Sequence, residues 1–356
     1  MQSARLLKPR ITIRRIQIAL GLLWLLDGAL QLQHQMFTSS FATQVIAPAG
    51  QGQPIPVYGP INFGIHMLLL HPALFDALFA IIQLVLGALI LNKRTVKIGL
   101  LSSVVWGLAV WYVGEGLGGL LSGHAMLLTG APGAALIYAI LALAVLPRKH
   151  TKNKKTDHRP AYWLPIMWAV FWIGGAIYQL LPGQYTVSDV ASNISGLAGD
   201  GSPGWLSALQ IHIGNTVQGY SPIAAAKSMS STMNMSGGHM SQMTVTANHS
   251  TGYWFILLLA AVQAVIGLLI FLPRQYRKIA VSLGIVVSLI FWFVGQSLGG
   301  YYSGLATDPN SAPLFILLGV AILGCGTLDF SVLKKDTARL MKRLADAMDS
   351  PSVKTS

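Results

Sequence analysis

The chain has 356 residues, 53% of them hydrophobic and only 10% charged, and its 24 Lys and Arg against 11 Asp and Glu give a net charge of +13. An ordinary soluble domain carries about 25% charged residues, so this composition, with a mean hydropathy of +0.58, excludes that class and points to a membrane protein. The positive charge sits in short clusters between apolar runs, the pattern of loops held against anionic lipid, and calls for no nucleic-acid partner.

A basic N-terminus, 1–12, leads into a first apolar run at 13–33. The run has the length of a span and ends in "QLQHQ" without a small-residue cleavage site, so it reads as a retained helix. Runs at 72–92, 97–121 and 131–147 follow, then a basic linker at 148–160, then runs at 161–181, 253–272, 278–302 and 312–330. Most are near the roughly 20 residues that cross about 30 Å of hydrocarbon at about 1.5 Å per residue. Lys and Arg gather on one side: Arg14 and Arg15, Lys93, Arg94 and Lys97, the linker, then Arg274, Arg277 and Lys278. Opposite loops, including 182–252, hold almost none beyond Lys227, which places both termini in the cytoplasm. The tail at 331–356 sets Val332, Leu333, Leu340 and Leu344 against Lys and Arg, as an amphipathic helix on the inner leaflet would. The single cysteine, Cys325, has no partner for an intrachain disulfide.

The chain repeats itself. Residues 110–123, "VWYVGEGLGGLLSG", correspond to 291–304, "FWFVGQSLGGYYSG", within a gapless pairing of 97–132 with 278–313. Gln83 and Gly87 pair likewise with Gln263 and Gly267, and "WLLDGALQLQ" resembles "FWIGGAIYQL" with a one-residue slip. The expected fold is therefore an all-α polytopic membrane protein of eight transmembrane helices, in two parallel four-helix repeats at 13–147 and 161–330. Gly114, Gly118 and Ser122, and again Gly295, Gly299 and Ser303, recur every fourth residue, the small-residue stripe that lets helices approach closely in lipid.

Polar groups inside such runs are expensive, and a functional role is the default expectation for Asp27 and Glu115; Gln296 replaces Glu115 in the second copy. A protonated Asp27 bonded to Gln31 or to a backbone carbonyl is the structural alternative. Two semi-apolar segments, "YGPINFGIHMLLLHP" and "GWLSALQIHIGN", are too interrupted for independent spans and read as interfacial or re-entrant. They bring His66 and His212 into correspondence. With His34, His71 and His124, the first copy gathers four histidines and Glu115 at its outer rim, a set suited to a transition metal, a haem or proton uptake. His66 and His71 are five apart and do not share a helical face, so they form no helical metal pair. In the long outer loop, Met229, Met233, Met235, Met240 and Met243 surround His239 in an uncharged Ser/Gly-rich stretch. Thioethers select soft ions such as Cu(I), so this stretch reads either as copper capture or as compositional drift in a tolerant loop.

One span, an outer segment and three spans in which "QLVLGALILNKR" or "QAVIGLLIFLPR" precedes a basic turn resemble the DoxX-like four-helix membrane superfamily in tandem. "WLLDGALQ", "GEGLGG" and "LTGAPGA" resemble a group of bacterial integral membrane proteins without assigned function. DoxX kinship implies a quinone-linked sulfur or thiol redox subunit in some members and no assigned chemistry in most, and the lone Cys325 departs from a thiol-active member. The expected function is handling of a soft or transition metal, copper-like, at the outer face of the plasma membrane, with a metal chaperone as partner. A quinone- or haem-linked subunit of a redox complex is the alternative, and transport of a small solute gated by Asp27 and Glu115 the third.

Overall fold

The computed structural model describes residues 11–123, 125–147, 163–181, 186–199, 201–219 and 250–324. Among these residues there are twelve α-helical segments and no strand. In chain order they are α1 (Ile13–Leu30), α2 (Ala47–Ala49), α3 (Ile55–Leu70), α4 (Pro72–Leu91), α5 (Val96–Ala109) and α6 (Ala134–Ala144), then α7 (Leu164–Leu180), α8 (Val187–Gly196), α9 (Gly204–Gln218), α10 (Ser250–Leu268), α11 (Arg274–Val294) and α12 (Ser311–Gly324).

Among the described residues, four stretches are long and apolar enough to cross a membrane: Pro72–Leu91, Val96–Gly114, Thr251–Phe271 and Arg274–Val294. This is the composition and length of a multi-pass membrane protein. Four others, Ile55–Leu70, Ala134–Ala144, Leu164–Leu180 and Ser311–Gly324, are apolar but shorter, and α1 carries Arg14, Arg15 and Asp27 within its 18 residues. The outer faces of α4, α5, α10 and α11 are stripes of exposed Leu, Ile and Val, among them Leu78, Ile81, Val105, Leu258 and Val286. Such contiguous apolar surface suits lipid rather than water.

Local chemistry sets the helix ends. Pro72, with its fixed φ, opens α4, and the preceding His71 adopts φ −143, ψ 67, which breaks α3 from α4. Thr186 and Asp189 form a reciprocal capping box at the start of α8. The Arg14 guanidinium donates to the Ile90 and Leu91 carbonyls at the end of α4, and Arg277 Nε donates to Ile270 O just beyond α10, each placing a cation where a helix dipole is negative.

Glycine brings the helices together. A Cβ on Gly87 would lie 2.6 Å from Leu25 Cγ and 2.7 Å from Gly21 O, so α4 meets α1 backbone to backbone. Gly267 of α10 lies in the same way against Ile173 and Ala169 O of α7. A continuous core then joins the helices: Trp24 stacks on Tyr138 at 4.3 Å and donates to Ser103 Oγ at 2.8 Å, while Trp168, Trp172, Phe291 and Phe315 interlock.

The expected stripe Gly114, Gly118, Ser122 does not lie on a helix. Helical backbone ends at Gly114 and, in the second copy, at Val294, short of the expected ends at 121 and 302. The chain then reverses through loop, for reasons that belong to the site.

Candidate functional site

After a π-helical turn at Val110–Gly114, residues Gly116, Leu117, Gly118 and Gly119 have φ values of 54, 57, 62 and 74. Ser297, Leu298, Gly299 and Gly300 have 44, 56, 75 and 68. Each segment is thus one left-handed turn. Left-handed backbone costs an L-residue roughly 1–2 kcal/mol, which favours the glycines in both segments, while Leu117, Ser297 and Leu298 bear that cost. A Cβ on Gly118 would also lie 1.9 Å from Pro132 O, so that position excludes a side chain on space as well as conformation. The close approach expected of the small residues therefore exists, but its partner is loop backbone. A Cβ on Gly295 would similarly collide with Leu128 O, while Ser122 and Ser303 donate to the carbonyls of Gly119 and Gly300 within their own loops.

Trp111 Nε1 donates to Pro132 O at 2.7 Å, and Trp292 Nε1 to Pro309 O at 2.9 Å. The geometric counterpart of Pro132 is Pro309 rather than Pro313, because the second loop is shorter after Gly304. The gapless pairing fails at its end.

The turn aims Glu115 at the start of α6, where its Oε1 accepts from Ala135 N–H at 3.0 Å. Gln296 Oε1 accepts from Ala312 N–H at the start of α12, also at 3.0 Å. Both residues therefore satisfy an orphan donor at a helix N-terminus. They differ in the other atom. Gln296 Nε2 donates to Ser311 Oγ at 3.2 Å and towards Leu127 O at 3.4 Å. Glu115 Oε2 is buried with no hydrogen-bond partner among the described residues, and it lies so near Gly133 that a Cβ there would be 2.1 Å away.

That free oxygen belongs to a carboxylate lining a cavity of about 1420 Å³. Asp27 of α1, Gln31 just after it, Gln83 of α4, Tyr138 of α6, Gln296, and Asp308 from the loop before α12 line the same space. Asp27 is 1% exposed, and the Tyr138 hydroxyl stands near enough to act on its carboxyl as a donor; Asp27 Oδ1, Gln31 Oε1 and Gln83 Oε1 have no geometric hydrogen-bond partner among the described residues. The expected alternative, Asp27 held by Gln31, is thus not the arrangement seen. Asp308 is held instead: its oxygens accept from the Thr307 hydroxyl and the Asn310 N–H, both at 2.7 Å. Desolvation lifts the Asp308 carboxyl above its usual range, and those two bonds oppose the shift. Asp27, Glu115 and Asp308 act on one another electrostatically, and among the described residues no Lys, Arg or His lines the cavity. The rim carries exposed Gln44, Phe63 and Leu78.

The histidines lie elsewhere. His34, in a short 3-10 turn, His66, His71 and His212 are all exposed, and His66 Nδ1 pairs with Asn62 O at 2.7 Å. Among the described residues no group of three His, Cys, Asp or Glu stands close enough to hold a metal ion. His124, Met229, Met233, Met235, His239, Met240 and Met243 lie outside the described residues, as do the linker and the tail.

Asp308 and Tyr138 carry site geometry that the sequence reading missed. Asp308 precedes Pro309 as Ala131 precedes Pro132, so the carboxylate has no counterpart in the first segment and the repeat gave no signal for it. Tyr138 had none either. No protein family, no curated protein and no solved structure was found to match the chain.

Proposed function

We propose that the chain is a multi-pass membrane protein that binds a small solute in the carboxylate-lined chamber and moves it, with Asp27 and Glu115 exchanging protons as the solute enters and leaves. The observation that carries this is the pair of buried carboxylate oxygens, Asp27 Oδ1 and Glu115 Oε2, left without partners in a cavity of about 1420 Å³. An unpartnered carboxyl within a membrane helix is costly, and a ligand or a proton is what relieves it. The volume exceeds the roughly 300–1,000 Å³ of most small-molecule pockets, leaving room for a solute and water.

In this reading the protein has eight spans in two parallel four-helix units, with its termini in the cytoplasm. The recurring left-handed turns, the paired Trp–Pro bonds and the equivalent settings of Gly87 and Gly267 support duplication. The first unit keeps the carboxylates; the second offers Gln296 in place of Glu115 and lends Asp308 to the shared chamber. The layout likened to DoxX proteins belongs to this scaffold, without the thiol chemistry.

The test is proton movement in proteoliposomes carrying a trapped pH dye, challenged with cationic, neutral and anionic solutes in turn. At least one class is expected to drive a proton flux that Asp27→Asn abolishes. Folded protein giving no solute-driven flux with any class would overturn the transport reading. A second reading, copper capture by the Met229–Met243 stretch, is favoured by its five thioethers and His239. Deleting 229–243 is then expected to lower copper bound by the purified protein, and unchanged copper would remove that reading.

A further inference from the structure

The chamber's own atoms restrict what can occupy it. Carboxylate oxygens only accept hydrogen bonds. Asp27 Oδ1 and Glu115 Oε2 lie buried without a geometric hydrogen-bond partner among the described residues, so an occupant that takes the place of a proton on these carboxyls must bring N–H or O–H groups. Sign is restricted as well. With Asp27, Glu115 and Asp308 in the lining and no Lys, Arg or His among the described residues there, an anionic occupant would meet three acidic groups and no counter-charge from those residues. Asp308 contributes charge rather than a vacant acceptor, since Thr307 and Asn310 already occupy its oxygens.

The walls decide between an inorganic and an organic cation. No three His, Cys, Asp or Glu among the described residues gather as ligands for an ion. Trp24, Phe41, Phe79 and Trp106 line the cavity instead, and Phe41, Phe79 and Trp106 form a connected aromatic wall with ring centroids 6.3 and 5.6 Å apart. Aromatic faces hold an apolar body and attract a cation placed over them.

We infer that the chamber takes an organic cation that retains N–H donors, a protonated primary or secondary amine with an aromatic or aliphatic body. Asp27 and Glu115 accept its N–H bonds, Asp308 adds attraction at a distance, and the aromatic wall holds the carbon skeleton. This assignment rests on the reading of the chamber as a solute site.

Calorimetric titration of the full chain in detergent tests it with four probes sharing a phenyl body: phenethylamine, phenethyltrimethylammonium, phenylpropanol and phenylpropionate. Phenethylamine is expected to bind at least about tenfold more tightly than the trimethylated cation or the alcohol, with the acid weakest. Asp27→Asn is expected to weaken amine binding about tenfold or more while changing alcohol binding less than about twofold. Glu115→Gln, which keeps the Oε1 acceptor used by α6, serves as a second variant with the same expected loss. The order of the four probes on the unmodified protein needs neither variant to fold. Tightest binding by the alcohol or the acid, still weakened by Asp27→Asn, would overturn the amine assignment and leave the chamber as a solute site. Equal binding of the trimethylated cation would overturn the requirement for N–H donors. Absence of binding by all four would overturn both the assignment and the solute-site reading.

Discussion

Glu115 and Gln296 perform one structural task with different chemistry. Each offers Oε1 to the first turn of the helix that follows, and Gln296 shows that an amide can do this without a charge. Removing the acceptor is therefore expected to cost more than removing the charge. Glu115→Ala should lower stability by about 1 kcal/mol, the usual cost of a lost N-terminal acceptor, and Glu115→Gln by less, as read by thermal unfolding in detergent. Gly118→Ala is expected to be worse than either, about 3 kcal/mol or more, because the new Cβ meets both a left-handed φ of 62 and the Pro132 carbonyl. The pairing of Glu115 with Gln296 was legible in the sequence. What the second atom does was not, because it depends on Gly133 and Leu127, which reach the two residues only through the folded loops.

At the scale of elements, apolar run length identified the helices well and their ends poorly. The small residues at 114, 118 and 122 satisfy a helical spacing as written, yet Gly118 is left-handed and helix ends at Gly114. Spacing alone cannot separate a helical stripe from a turn rich in glycine; the Trp111–Pro132 and Glu115–Ala135 bonds, made across the fold, select the turn. The helix pairing of α1 with α4 rests on true helical glycine. Gly87→Ala is expected to cost about 1–3 kcal/mol by forcing α4 from Leu25 and Gly21 O. Gly59→Ala in α3, where nothing lies within 4 Å of the new Cβ, should be neutral or stabilise by up to about 1 kcal/mol. Comparing the two melting temperatures separates the close helix contact from the general effect of adding a methyl group.

At the scale of the whole molecule, the site is assembled from distant parts of the chain. Asp27 was legible because a carboxylate inside an apolar run stands out. Asp308 was not, because its loop is joined to the first half only in space, through contacts such as Gln33 Nε2 to Ala306 O at 3.1 Å. His34, His66 and His71, grouped at an expected rim by the sequence, and His212 are exposed and are not among the residues lining the cavity, which holds carboxyls, amides and aromatic rings, while His124 lies outside the described residues. In the proposed transporter these buried carboxyls face a chamber open to the outer side of the membrane. Thr129 lines that chamber and is half-buried, so a cysteine there reports on it. In a Cys325→Ser background, Thr129→Cys would be exposed to a membrane-impermeant thiol reagent in right-side-out and in inverted vesicles. The account predicts reaction from the outer side alone, slowed by a solute that drives proton flux. Folded protein that reacts from neither side would contradict an accessible chamber.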